Sequence, residues 1–248
     1  MTGDLAAPAV GRLEGRRILI AGSASGIGRE TLRLFRAQGA NVAALDLRVD
    51  DTEQGFAADI TDGAACRAAV EAATRAMGGL DGMVNCVGID LEAPIGDMTD
   101  ADWDRVIAVN LTGAMILCRA VLPAMRAAGG GTIVNMSSAA GLSPLSHRSA
   151  YCTSKAGLNM FGKCLAMELG PENIRVNTAG AVDTPLFRSS YEDFQNAEER
   201  LSAIRARYAM RRVAEPCEIA SAALYLTEAG SSYVTGAALA VDGGRSFH

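Results

Sequence analysis

Residues 17–46 constrain this chain most. Arg17-Ile18-Leu19-Ile20-Ala21 is a short apolar run, and Gly22-Ser23-Ala24-Ser25-Gly26-Ile27-Gly28 follows it. A helical pattern then runs to Gly39, with Ile27, Thr31, Leu34 and Phe35 on one apolar face, and Val42-Ala43-Ala44-Leu45-Asp46 reads as a second strand closed by a carboxylate. Strand, glycine turn, helix, strand is a βαβ unit, which obliges the two strands to lie parallel. The expected fold class is α/β, a Rossmann-type doubly wound parallel sheet of about seven strands with helices on both faces.

The glycines in this turn have separate mechanical work. Gly22 permits a tight turn off the strand, while Gly26 and Gly28 lack the Cβ atoms that would keep backbone and helix N-terminus away from a pyrophosphate. A glycine trio alone is a weak signal; its place between strand and helix, with Asp46 eighteen residues after Gly28, makes it strong. Asp46 is suited to accept hydrogen bonds from two ribose hydroxyls and to repel a 2′-phosphate, which points to NAD rather than NADP. Ser25 and Ile27 belong to the same cofactor turn, and no basic residue precedes Gly26. Arg48 is expected to be solvated.

The alternation continues. Gly55–Ile60 reads as a third strand, and Asp59 has two readings, an adenine contact or part of a helix-cap region with Thr61 and Asp62. After a helix to Met77, Gly82–Asn85 is a fourth strand whose continuation, Asn85-Cys86-Val87-Gly88, offers small residues to wall a cofactor. A long helix over residues 100–127 carries Asn110 among apolar neighbours, where an amide needs a buried partner or a water. The fifth strand is 131–137, the next helix 151–169, the sixth strand 174–177, and a last helix (218–226) leads to a strand at 239–242. The polar segment 185–212 fits a mobile helical flap over a pocket, and residues 1–14 a flexible leader before one domain spanning 15–248.

The stretch Ser138–Lys155 carries the candidate chemistry. Tyr151 and Lys155, four apart at the start of a helix, share a face. A free tyrosine titrates near about 10, and a neighbouring ammonium is expected to lower that value and make the phenol useful as an acid and base. Ser138, at the end of the fifth strand, can face the phenol across the loop. A tyrosine and lysine four apart are more often a surface pair. Composition weighs against that here, since the chain has 21 Arg and only two Lys, at 155 and 163. A chain that takes its surface positive charge from arginine has not placed Lys155 for solubility.

The totals exclude several classes. A net charge of −5 with no basic patch argues against nucleic acid or an anionic membrane surface. Six cysteines without a C-x-x-C pair, and two histidines, argue against a structural zinc site; a reducing, cytoplasmic location is expected. The apolar region 106–125 is interrupted by Asn110 and Arg119, which reads against a membrane span.

With these pieces placed, the chain resembles the short-chain dehydrogenase/reductase family over residues 12–244. The matches come in order: Gly22/Gly26/Gly28, Asp59, Asn85–Gly88, Asn110, Ser138, Tyr151 with Lys155, Val182-Asp183-Thr184 and Val241-Asp242-Gly243-Gly244. The resemblance implies an NAD-dependent oxidoreductase interconverting a secondary alcohol and a ketone. Tyr151 would be the general acid–base group, and Ser138 would hold the substrate oxygen. Lys155 would bind the nicotinamide ribose and depress the phenol's pKa, and Asn110 would hold a relay water. Gly22, Ser25, Gly26, Ile27, Gly28, Asp46, Asp59, Ile60, Asn85, Gly88, Tyr151, Lys155, Val182 and Thr184 would contact NAD. No metal is implied, and a homotetramer packed through the two long helices is expected. Three departures stand out: Ala21 where the family has Thr, Cys86-Val87 where it has Asn-Ala, and a shorter Asn177–Gly180 stretch without proline, which bears on the placement of Val182 and Thr184.

Two rivals remain, a 3-oxoacyl-carrier ketoreductase and a non-catalytic dinucleotide-binding protein on the same fold. The expected pocket lining (Ile89, Asp90, Leu142, Leu145, Arg148, Leu186) selects no particular small-molecule alcohol, and His147 reads as a solvated loop residue.

Overall fold

The computed structural model describes residues 11–49, 54–180 and 197–246. Seven strands, β1 (Arg17–Ala21), β2 (Asn41–Asp46), β3 (Gly55–Ala57), β4 (Gly82–Asn85), β5 (Gly131–Ser137), β6 (Ile174–Gly180) and β7 (Ala238–Ala240), form one sheet in the order β3-β2-β1-β4-β5-β6-β7. Every neighbouring pair is parallel. The central strands are near-continuous apolar runs because both faces are covered. Alternate side chains feed two cores: Leu19, Ala43, Met83 and Ile133 point to one face, and Ile18, Val42, Val84 and Val134 to the other.

Helices α2 (Gly63–Met77), α4 (Gly113–Ala127) and α5 (Ser149–Leu169) contribute to the first core, α1 (Gly26–Ala37) and α7 (Pro216–Thr227) to the second. Two further α-helices lie among the described residues, α3 (Asp100–Ile107) and α6 (Ala197–Arg205). The strand order reverses between β1 and β4, and at such a switch point the carboxyl ends of the strands part to leave a crevice. The opposite ends are tied down by ions. Asp81 accepts from Arg16 at 2.5 Å and from Arg17 at 3.0 Å, and Arg16 also reaches Thr132 Oγ1 at 3.0 Å, joining β1, β4 and β5.

Several expected boundaries shift, each for a visible reason. The third strand stops at Ala57 rather than Ile60, because Asp59 Oδ1 accepts from the amide and hydroxyl of Thr61 and turns the chain. The sixth strand runs on to Gly180, in register with Ser137. Its polar residues are paired there: Asn177 bonds Val234 O (2.9 Å) and Ala237 N (3.0 Å), and Thr178 bonds Asn159 (2.9 Å). The last strand is shorter, 238–240. Within the expected flap only α6 and the residues to 212 are described; 185–196 lie outside the described residues, as do leader residues 1–10.

The long helix also differs from its reading. One turn of π-helix, Ala108–Thr112, joins α3 to α4, so helix is continuous over Asp100–Ala127. By length and composition alone this stretch is long and apolar enough to cross a membrane, despite Asn110 and Arg119. Its apolar side chains Leu117, Val121 and Met125 are instead fully buried in the first core.

Asp59 lies in the region that leads into the cap of α2, bonded to Thr61. Asp62, not Asp59, occupies the N-cap and accepts from Ala64 N (2.8 Å) and Ala65 N (3.1 Å), which holds its carboxyl below the usual range. Replacing Asp62 with Ala should therefore lower the urea midpoint of unfolding, and more than Asp59→Ala does.

Candidate functional site

The glycine turn after β1 is built for close approach. A Cβ on Gly28 would lie 2.0 Å from Gly22 O, so no other residue fits there without moving the loop. Ser25 stands at the N-cap of α1 in extended conformation with no side-chain cap, and the first turn holds no acidic residue. The first amides of α1 are thus left to an anion, with the helix dipole behind them. Asp46 closes β2 beside this turn; its Oδ2 accepts from Ala24 N at 2.9 Å and its Oδ1 from Leu47 N at 2.7 Å. Anion-ready amides next to a fixed carboxylate fit the phosphate and ribose parts of a dinucleotide.

Other expected cofactor residues are more mixed. Asn85 is buried, bonded through Nδ2 to Asn135 Oδ1 (3.2 Å) and through Oδ1 to Val87 N (3.1 Å), so its side chain braces the sheet. Ile60 is buried against the start of α4, where a Cβ on Gly113 would meet its Cδ1 at 2.8 Å. Any contact from Asn85 or Ile60 to a cofactor falls to main chain. Val182 and Thr184, with Leu186, lie outside the described residues.

The structure brings Ser138, Tyr151, Lys155 and Asn110 together at the carboxyl end of β5. Ser138 ends the strand, and its hydroxyl accepts from Ala140 N at 3.1 Å. The preceding Ser137 hydroxyl donates to Lys155 O at 3.3 Å and so fastens the strand end to α5. Across that joint the Ser138 hydroxyl lies close enough to the Tyr151 phenol to favour its charged form. Lys155 lies one turn further along α5, buried with 4% of its surface exposed, with Nζ donating to Met136 O at 2.9 Å and 5.8 Å from the centre of the Tyr151 ring.

Asn110 occupies the π-turn, where the widened backbone lets its amide point inward. Oδ1 accepts from Ile89 N (2.8 Å), while Nδ2 donates to Ile89 O (2.8 Å) and Ser154 Oγ (3.0 Å). Gly88 keeps room beside it. A Cβ there would come within 3.2 Å of Lys155 Nζ and 3.4 Å of Asn110 Oδ1, so the amine and the amide oxygen border one small space.

Electrostatics depart from the sequence expectation. Burial pushes the Tyr151 phenol above its ordinary value, and the groups that pull it back are the Ser138 hydroxyl and the charges of Arg148 and Arg245. Sequence spacing assigns that work to Lys155. Its amine is itself held low, to about 8, because burial disfavours the ammonium, with only Cys86 opposing. Arg245, directly after the closing glycines, escapes sequence reasoning; nothing in its local sequence shows that the chain returns it to α5. His147, exposed with a φ of +60°, is a loop residue as expected.

A protein-family model described as enoyl-(acyl carrier protein) reductase matches residues 21–246. A D-threitol dehydrogenase of Mycolicibacterium smegmatis is 36% identical, covering 94% of this chain and 94% of its own. The chain belongs to the short-chain dehydrogenase/reductase family. A 3-alpha-(or 20-beta)-hydroxysteroid dehydrogenase of Mycobacterium tuberculosis is 38% identical over 94% of this chain and 90% of its own. Among solved structures, the ligand-free aldohexose dehydrogenase of Thermoplasma acidophilum superposes with a TM-score of 0.90 at 29% identity, covering 96% of this chain and 97% of that one. Short-chain dehydrogenases work with NAD or NADP, and the turn and helix terminus described above fit either at the pyrophosphate.

The lowered Lys155 value predicts a stability effect. Unfolded, this amine titrates at its ordinary 10.5; folded, at about 8. Between those limits the unfolded chain binds more protons, so stability rises with pH through the window, and below pH 8 the full penalty applies. Lys155→Met should raise unfolding stability at pH 7 by up to about 3 kcal/mol, with the gain shrinking towards pH 10. Equal stability of the two proteins at pH 7 and pH 10 would contradict the burial reading.

Proposed function

We propose that the chain is an NAD(H)-dependent oxidoreductase interconverting a secondary alcohol and a ketone, with Tyr151 as the acid and base. The observation that carries this is the Tyr151 phenol set beside the Ser138 hydroxyl, with the buried amine of Lys155 one turn behind it, 5.8 Å from the ring centre. The names of the three relatives given above, each a dehydrogenase of a hydroxylated compound, support it.

In this reading the nicotinamide, when bound, supplies or accepts the hydride. The chain's own residues handle the oxygen. In reduction Tyr151 Oη gives its proton to the carbonyl oxygen, and the Ser138 hydroxyl donates a hydrogen bond to the same oxygen. A phenol held above its ordinary value is protonated at neutral pH and ready for this step. Lys155 binds ribose hydroxyls, and a water in the space beside Gly88, held by Asn110, returns the proton from solvent. Asn110 on the widened π-turn and Gly88 as the residue that keeps the space open both suit that relay.

Preference for NAD rests on Asp46. Its carboxylate is fixed by two main-chain amides and cannot swing away from a 2′-phosphate without losing both. Arg29, in the first turn of α1, donates to the Ala24 carbonyl. Self-association into a tetramer is proposed through the outer face of α5, where Met160 and Met167 are exposed.

The test pairs one variant with one cofactor comparison. Tyr151→Phe should lower turnover by about 10²–10⁴-fold while NADH binding, followed by fluorescence, stays close to the parent's. Initial rates should be higher with NADH than with NADPH at equal concentration. A fully active Phe variant would remove the acid–base assignment, and an NADPH preference would remove that of Asp46.

A further inference from the structure

We infer that Arg245 binds the substrate, and that the compounds interconverted are a hydroxy acid and its keto acid, whose carboxylate pairs with this guanidinium while the reacting carbon faces Tyr151. The inference rests on the alcohol-dehydrogenase reading above and goes beyond it to the class of substrate.

The fold carries Arg245 to the reacting end of the sheet. β5, β6 and β7 are adjacent and in register, Ser137 beside Gly180 and Gly180 beside Ala240. At the usual strand spacing, the chain leaving β7 therefore stands about 10 Å from the chain leaving β5 at Ser138. Arg245 lies in the turn that follows β7, and that turn is fixed. Buried Asp242 accepts from Gly244 N and Ser246 N, each at 3.0 Å, and its main-chain carbonyl accepts from Arg245 N at 3.1 Å. The segment after α6 packs onto it, with Met210 N donating to Gly243 O at 3.1 Å. From this turn the charge of Arg245 reaches the Tyr151 phenol.

Arg245 differs from the other cations near the site in having no acceptor. Arg148 is held by Asp90 and, at 2.8 Å, by Glu92, which also receives Arg200 at 3.4 Å. Arg207, whose charge is felt at Arg148, is exposed, and water serves its donors. Arg245 is half-buried, and among the described residues its guanidinium has no hydrogen-bond or ion-pair partner. A guanidinium has five N–H donors and nothing to accept with, so the group that completes it is an acceptor, best an anion. The chain as a whole carries a net charge of −5, so the field favours an anion at this place rather than over the surface at large.

Two other anions fit less well. The cofactor's pyrophosphate belongs at the glycine turn after β1. In the sheet β4, β5 and β6 lie between β1 and β7, a separation of about 19 Å at the usual strand spacing, which is beyond the length of an arginine side chain. A phosphate on the substrate is best met by several donors at once, commonly main-chain amides in a turn. Here the amides of Gly244, Arg245 and Ser246 are all taken by Asp242. One guanidinium edge with two parallel N–H groups matches a carboxylate.

The experiment follows reduction by the full chain with NADH. It compares kcat/KM for 4-oxopentanoate against its methyl ester and for 5-oxohexanoate against its methyl ester, pairs that differ in charge. The parent should prefer the acid in at least one pair by about tenfold or more, the size expected of a hydrogen bond between charged groups. Arg245→Gln should bring that ratio close to one. The ratio is the readout, because losing the charge also alters the phenol and with it the turnover of acid and ester alike. A merely structural role for Arg245 would lower both rates and keep the ratio. The same pairs titrated by calorimetry into the NADH complex of Tyr151→Phe, with and without Arg245→Gln, give the ratio as affinities where turnover is too slow to compare. A ratio near one for both pairs in the parent, or an unchanged ratio in the Arg245 variant, would overturn the assignment while leaving the alcohol-dehydrogenase reading in place. Absence of turnover for every ketone and alcohol with either cofactor would sink that reading, and this inference with it.

Discussion

The site depends on the burial of one amine. Lys155 is almost wholly buried, with a single main-chain carbonyl, that of Met136, as its fixed acceptor. Desolvation draws its pKa down to about 8, so near neutrality it can change charge at small energetic cost. A surface lysine would be a permanent cation and a poor participant in proton movement. The same seclusion raises the phenol of Tyr151, so burial acts on both groups by disfavouring their charged forms. Perturbed groups placed together in a crevice are what acid–base chemistry near neutral pH requires.

The fold supplies this burial by joining elements rather than by any one loop. β5 delivers Met136, Ser137 and Ser138; α5 delivers Tyr151 and Lys155; and the Ser137–Lys155 bond fixes their spacing. The π-turn between α3 and α4 brings in Asn110, which is tied both to α5 through Ser154 and to the end of β4 through Ile89. The opposite end of the sheet is closed by Asp81 with Arg16 and Arg17. That leaves the carboxyl ends, where the strand order reverses, as the part of the molecule with groups to spare for a ligand.

Much of this is legible in the sequence, for identifiable reasons. β1, β4 and β5 match their expected limits because strands covered on both faces are near-continuous apolar runs. β6 reads too short because Asn177 and Thr178 look like loop residues until their partners, Val234 and Asn159, are in place. Ser138, Tyr151 and Lys155 can be read from spacing, and Asn110 from its poor fit to a helix interior. The Asp90–Arg148 ion pair and the field of Arg245 cannot, since they join segments far apart in the chain. The direction of the phenol's shift is hidden for a related reason: helical spacing brings an ammonium near, but only the packed structure shows how strongly both groups are desolvated.

Lysine ammonium and ε-methylene resonances followed by NMR against pH give the most direct test. The chain has only two lysines, so the spectrum is simple, and the signal lost in Lys155→Met identifies the buried amine. That signal should titrate near 8 in the parent protein. If it moves instead near the ordinary lysine value of about 10.4, the amine is hydrated, and the proposed chemistry of the site would not stand.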